Sequence, residues 1–182
     1  MTSVTHPLGI LLPRLFSGEA AFEPIAHVSA DSRTLASGSL FFALAGSTLD
    51  GRAFVGDAVA KGATAIIGEF ARPDDVPATV AFAQVPNARL ALAKAAARFY
   101  PGQPGIIVAI TGTSGKSSVA DFVRQIFTIL GHQASSLGTI GVITAKAADY
   151  GSLTTSDPVF LHQTLDRLAR DGITHLAMEA SS

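Results

Sequence analysis

The chain has 182 residues, 48% of them hydrophobic and 15% charged, with a formal net charge of -1 and no cysteine. That is enough apolar chain for one large core or two small ones, and too much for disorder. The charge leaves no basic surplus for a nucleic acid or an anionic membrane, and the missing thiols exclude a disulfide framework or a thiolate zinc site.

The N-terminal "MTSVTHPLGILLPRLFSGE" has a short apolar patch, no basic flank before it and a proline inside. It predicts neither a signal peptide nor a spanning helix, so a cytoplasmic location is expected. From residue 39, "SLFFALAG" (39–46), "ATAIIGE" (63–69) and "TVAFAQV" (79–85) predict strands, while "AFVGDAVAKG" (53–62) and "NARLALAKAAARFY" (87–100) predict helices. In the second helix Leu90, Ala93, Ala97 and Tyr100 recur at three- and four-residue steps and are expected to form its buried stripe. This alternation predicts an α/β fold with a sheet covered by helices. The cluster "YPGQPG" (100–105) marks a boundary, giving expected domains 1–102 and 103–182.

Past the boundary, "GIIVAIT" (105–111) is a continuous apolar run of the kind found in strands buried on both faces. The following helix carries Val119, Phe122, Val123, Ile126, Phe127 and Leu130 on one stripe and is closed by Gly131. Asp157 then supplies an N-cap before Pro158, Leu161, Leu165 and Leu168 continue an apolar stripe, and Gly172 ends that helix. The final "ITHLAMEASS" reads as a strand leading into a polar loop. In a βαβ pattern such a loop feeds a further helix, so a piece of a longer protein is expected. His132 and His162 read as surface residues, and His175, alternating with apolar neighbours, is expected in the core.

The segment "TGTSGKSS" (111–118) has what a phosphate cradle needs. Gly112 and Gly115 permit positive φ and close backbone approach, the helix that follows offers unpaired N–H groups, and Lys116 adds a point charge. Ser117 can place a hydroxyl on a magnesium ion. The template G-x-x-x-x-G-K-[ST] is not met, since Ile110 stands where its first glycine belongs; a glycine-rich turn with an exposed lysine is the alternative. If the strands at 106–110 and 173–178 are parallel neighbours, Glu179 lies beside this loop, either as a metal ligand or as a solvated strand-end carboxylate.

Five segments together, "ADSRTLASGSLFFALAGSTLDGRAF" (30–54), "TGTSGKSS", "LGTIGV" (137–142), "LTTSDP" (153–158) and "MEASS" (178–182), resemble the Mur ligases. They are most similar to the branch that adds the third residue to UDP-N-acetylmuramoyl-L-alanyl-D-glutamate in peptidoglycan synthesis. That family's ATP loop has the shorter form T-G-x-x-G-K-[ST]-[ST], which accounts for Ile110. The resemblance implies a small N-terminal α/β domain that binds the UDP-sugar, then the start of a mostly parallel, P-loop-type central sheet flanked by helices. It implies ATP and Mg2+ as cofactors, with Gly112, Thr113, Ser114, Gly115, Lys116, Ser117 and Ser118 on ATP, Lys116 as the catalytic cation, and Ser117 and Glu179 on the metal. Ser32, Ser47, Thr48, Leu49, Thr154, Thr155 and Ser181 would bind the UDP-sugar; a side-chain-to-backbone turn by Asp31 and Ser32 is the less favoured alternative.

The implied partners are UDP-N-acetylmuramoyl-dipeptide and a diamino acid, diaminopimelate rather than lysine, handled by a monomer. Because the family continues past "MEASS" with further metal contacts and an amino-acid-binding domain, these 182 residues alone are expected not to ligate. Two rivals share the lysine loop's chemistry: the Mur ligase that adds D-alanyl-D-alanine, and a non-catalytic module that binds UDP-sugar or ATP.

Overall fold

Two larger sheets organise the chain, one in each of the units into which its contacts divide, Met1–Phe99 and Tyr100–Ser182. The computed structural model describes residues 4–46, 50–144, 148–149 and 157–180.

The first unit runs β1 (His6–Pro7), α1 (Leu8–Leu11), β2 (Pro24–Ile25), β3 (His27–Ser29), β4 (Ser39–Ala43), α2 (Val55–Ala60), β5 (Ala63–Gly68), β6 (Ala81–Gln84) and α3 (Ala88–Phe99). β1 and β2 pair antiparallel, while β3-β4-β5-β6 form a four-stranded, wholly parallel sheet. Parallel strands in the middle of a sheet are covered on both faces, which is why β4 reads SLFFA and is buried at every residue. On one face Phe41, Ile66, Val55, Ala58, Val76 and Val80 make a single cluster. Ile66 is fully buried, so Ile66→Val is expected to lower the unfolding free energy of this unit by about 1 kcal/mol in urea titration.

α3 turns a different face inward from the one its spacing suggests. Ala88, Leu92, Ala95, Ala96 and Phe99 are buried, whereas Leu90 is 50% exposed. Alanine recurs on every side of this helix and carries little phase information; the large pair Leu92 and Phe99, seven residues apart, decides which face packs.

The second unit runs β7 (Ile106–Ile110), α4 (Lys116–Ile129), β8 (Ala134–Gly138), β9 (Gly141–Thr144), β10 (Ala148–Asp149), α5 (Pro158–Arg170) and β11 (His175–Glu179). Its sheet order is β10-β9-β8-β11-β7, parallel from β8 through β11 to β7 and antiparallel from β8 outward to β10. Leu137, Val142, Leu165, Leu168 and Leu176 form the core under α5. The Asp157 carboxylate caps α5 by accepting from Val159 N at 3.1 Å, ahead of Pro158 in the first turn. Asp166 of the same helix, 7% exposed, accepts from Gly102 N at 2.9 Å and pairs with Arg170, which ties the proline-glycine segment to this unit.

Three expectations are corrected here. Among the described residues β7 is an edge strand, and its Ile106 is 48% exposed, so the apolar run is not covered on both faces. On α4 only Ala120 is buried, while Phe122, Ile126 and Leu130 of the expected stripe are more than half exposed. Periodicity marks a face suited to burial without saying what supplies the cover. His175 stands at the open start of β11, partly exposed, with its ring stacked on His132 at 3.8 Å between centroids; partial burial and then the neighbouring imidazole push its pKa down. Among the described residues no helix is long and apolar enough to cross a membrane.

Candidate functional site

In the second unit, β7 and β11 pair in parallel with Glu179 level with Ile110, the last residue before the lysine loop. The loop that follows Ile110 needs glycine twice: Gly112 has φ 148° and Gly115, the residue before α4, has φ 78°. A side chain at either position would be strained, and without one the backbone N–H groups at the start of α4 stay open to an anion. The Lys116 ammonium folds back over the loop and donates to Gly112 O at 2.6 Å, so its charge lies across the concavity that the loop makes.

Beside the loop lies a chain of oxygens. The Ser117 hydroxyl is 3.2 Å from the Thr139 hydroxyl, and Thr139 donates to Glu179 Oε1 from its backbone N at 3.1 Å and from its hydroxyl at 3.3 Å. Ser117 and Glu179 border a cavity of about 360 Å³ between α4 and the β8–β9 hairpin, lined also by Asp121, Arg124, Ser136 and Gly138. Two hydroxyls and one carboxylate are hard oxygen donors, which suit Mg2+ and not a soft metal. Among the described residues no three His, Cys, Asp or Glu side chains gather to hold a metal without help.

Thr139 was not singled out by sequence reasoning. The available signal is a hydroxyl residue at the tight turn of "LGTIGV", between β8 and β9; the motif is legible, but the pairing that turns it toward Glu179 is not.

In the first unit the "DSR" segment forms a 3-10 turn over Ser32–Thr34. Asp31 shapes it: its carboxylate accepts from Arg33 N at 2.9 Å and holds the Arg33 guanidinium through Nε and Nη2, the latter at 2.7 Å. Those bonds, with smaller help from the Lys61 charge, lower the Asp31 pKa from 3.8 to about 2. Because the folded value is depressed, the pairing contributes above about pH 4 and its contribution fades as the pH falls from there toward 2.

Ser32 takes no part in this turn chemistry. It is 8% exposed, its hydroxyl has no hydrogen-bond partner among the described residues, and it lines a cavity of about 480 Å³ with Ala30, Asp31, Arg33 and Phe54. A hydroxyl on a cavity wall with no protein partner is free to bond water or a ligand. Asp31 is therefore the turn former and Ser32 the residue with capacity to spare. Ser47, Thr48, Leu49, Thr154, Thr155 and Ser181 lie outside the described residues.

The second unit is thus an α/β fold whose mixed sheet carries a glycine-lysine loop flanked by a hydroxyl-carboxylate cluster. Residues 24–100 match the model of the Mur ligase family catalytic domain and residues 110–182 that of the Mur ligase middle domain. The chain belongs to the Mur ligase family. It is 54% identical over 174 residues to the "UDP-N-acetylmuramoyl-L-alanyl-D-glutamate--2,6-diaminopimelate ligase" of Bradyrhizobium diazoefficiens, an alignment covering 92% of this chain and 35% of that one.

A solved structure of a ligase with the same name superposes with a TM-score of 0.79 at 25% identity, covering 97% of this chain and 36% of the other. The Acinetobacter baumannii "UDP-N-acetylmuramoylalanyl-D-glutamyl-2,6-diaminopimelate--D-alanyl-D-alanyl ligase" superposes with a TM-score of 0.55 at 29% identity, over 87% of this chain and 31% of its own. The chain thus spans about a third of the length of the curated relatives it matches, 35% in the first case above.

Proposed function

We propose that these 182 residues supply the UDP-sugar and ATP sites of an ATP-dependent carbon-nitrogen ligase. The reaction would add meso-diaminopimelate to UDP-N-acetylmuramoyl-L-alanyl-D-glutamate in the cytoplasmic stage of peptidoglycan synthesis. The relatives' names and the five motifs support the substrate. The observation that carries the ATP half is the Lys116 loop set beside the Ser117–Thr139–Glu179 oxygens. Residues 1–102 would serve the sugar nucleotide and 103–182 the ATP.

Bound ATP would supply its γ-phosphoryl group to the substrate carboxylate, leaving ADP, and the incoming amine would then attack the acyl carbon, lose a proton and expel inorganic phosphate to give the amide. The barrier is crowding between anions, and this chain answers it with position and charge. The backbone from Gly112 to Ser118 would cradle the phosphates, Lys116 would place its ammonium on the β- and γ-phosphates, and Ser117 and Glu179, steadied by Thr139, would hold Mg2+. Ser32, with Ser47 to Leu49, Thr154, Thr155 and Ser181, would bind the UDP-sugar.

Calorimetric titration of the 182-residue chain with UDP-N-acetylmuramoyl-L-Ala-D-Glu tests the sugar half. Saturable binding is expected, weakened about fivefold to tenfold by Ser32→Ala through loss of one buried hydrogen bond. Absence of saturable binding by the unmodified chain would overturn the reading.

A further inference from the structure

Lys61 directly follows α2, 29 residues along the chain from the "DSR" turn, and its Nζ donates to the backbone carbonyl of Ser32 at 2.7 Å. Among the described residues its ammonium forms no ion pair with a carboxylate; its bond is to a peptide oxygen. The turn has other ties, but all are local: Asp31 to Arg33, Ser29 Oγ to Asp31 N at 2.9 Å, and Thr34 Oγ1 to Asp31 O at 3.0 Å. These fix the shape of residues 29–34, and Ser29, the last residue of β3 and level with Phe41 of β4, joins that shape to the sheet at its first residue only. The Lys61 bond comes from a distant element and grips the peptide of the very residue whose hydroxyl is unpartnered.

We propose that Lys61 is a positioning residue for the nucleotide-sugar site: its ammonium holds the Ser32 carbonyl so that the Ser32 hydroxyl faces the cavity it shares with Phe54. This inference rests on the reading of that cavity as the nucleotide-sugar site. It assigns a cation near an anionic ligand to the backbone and not to the phosphates, and the two roles separate cleanly. A cation that binds phosphate matters for UDP and not for uridine. A cation that positions the turn matters equally for both, because the nucleoside contact itself is what shifts.

The experiment titrates the 182-residue chain with uridine and with UDP, for the unmodified protein, Lys61→Met, Lys61→Arg and Ser32→Ala, and records amide hydrogen exchange at Arg33 and Thr34 in each free protein. Met keeps the aliphatic stem and removes the donor. Lys61→Met is expected to weaken uridine and UDP by the same factor, about fivefold, and to speed exchange at both amides, with Lys61→Arg restoring most of each. Unchanged affinity in Lys61→Met, or a loss confined to UDP, would overturn the positioning role while a weakened Ser32→Ala leaves the site assignment standing. No saturable UDP binding by the unmodified chain would overturn the site assignment and this inference with it.

Discussion

Lys116→Ala is expected to weaken binding of ATP with Mg2+ by about 10- to 100-fold, the range of one or two charge-assisted hydrogen bonds to phosphate. The side chain already bridges its own loop through the 2.6 Å contact with Gly112 O, so the charge is placed before the ligand arrives. Thermal stability should scarcely change: the first turn of α4 accepts alanine well, and the lost contact is exposed to solvent. Calorimetry with ATP and a melting curve on the same sample check both halves. Equal ATP affinity in the variant would show that the loop is an ordinary glycine turn.

The second large effect is expected from Gly138→Ala. Gly138 ends β8, where a Cβ would fall inside the Glu179 carboxylate and side-chain carbons. The obstructing atoms belong to the end of a flexible side chain, so the fold survives at a cost of about 1–3 kcal/mol while Glu179 swings away. That movement breaks both bonds from Thr139 and removes the only carboxylate in the Ser117–Thr139–Glu179 chain. ATP affinity should therefore fall about tenfold in the presence of Mg2+ and change little in EDTA. Equal losses with and without Mg2+ would mean that Glu179 does not serve the metal.

Much of this arrangement was legible in the residues. The alternation of apolar runs with amphipathic stretches marked β4, β5, β6, β7, α3 and α4, because one residue type recurring with period 2 or 3.6 leaves few other ways to bury it. The lysine loop and its place after a strand were legible as well, since positive φ demands glycine at fixed offsets. β8 was not: it reads ASSLG, and its Ser135 and Ser136 are buried by hydrogen bonding and neighbours, with no apolar run to announce them. The antiparallel extension through β9 followed it out of sight. Spacing alone did not separate Asp31 from Ser32, because it cannot say which of the two makes the turn; the ligand role expected of Ser32 came from the family resemblance.

The uncovered side of the second unit has a consequence for how the chain behaves in concentrated solution. β7 pairs on one side only among the described residues, and near it α4 turns Phe122, Ile126, Ile129 and Leu130 outward. A strand with a free row of N–H and C=O groups invites another strand to join it, and apolar side chains at the surface hold such an encounter together. A net charge of -1 offers almost no mutual repulsion to keep copies apart. Expressed by itself, the chain is therefore expected to self-associate through this side at high concentration before either core melts.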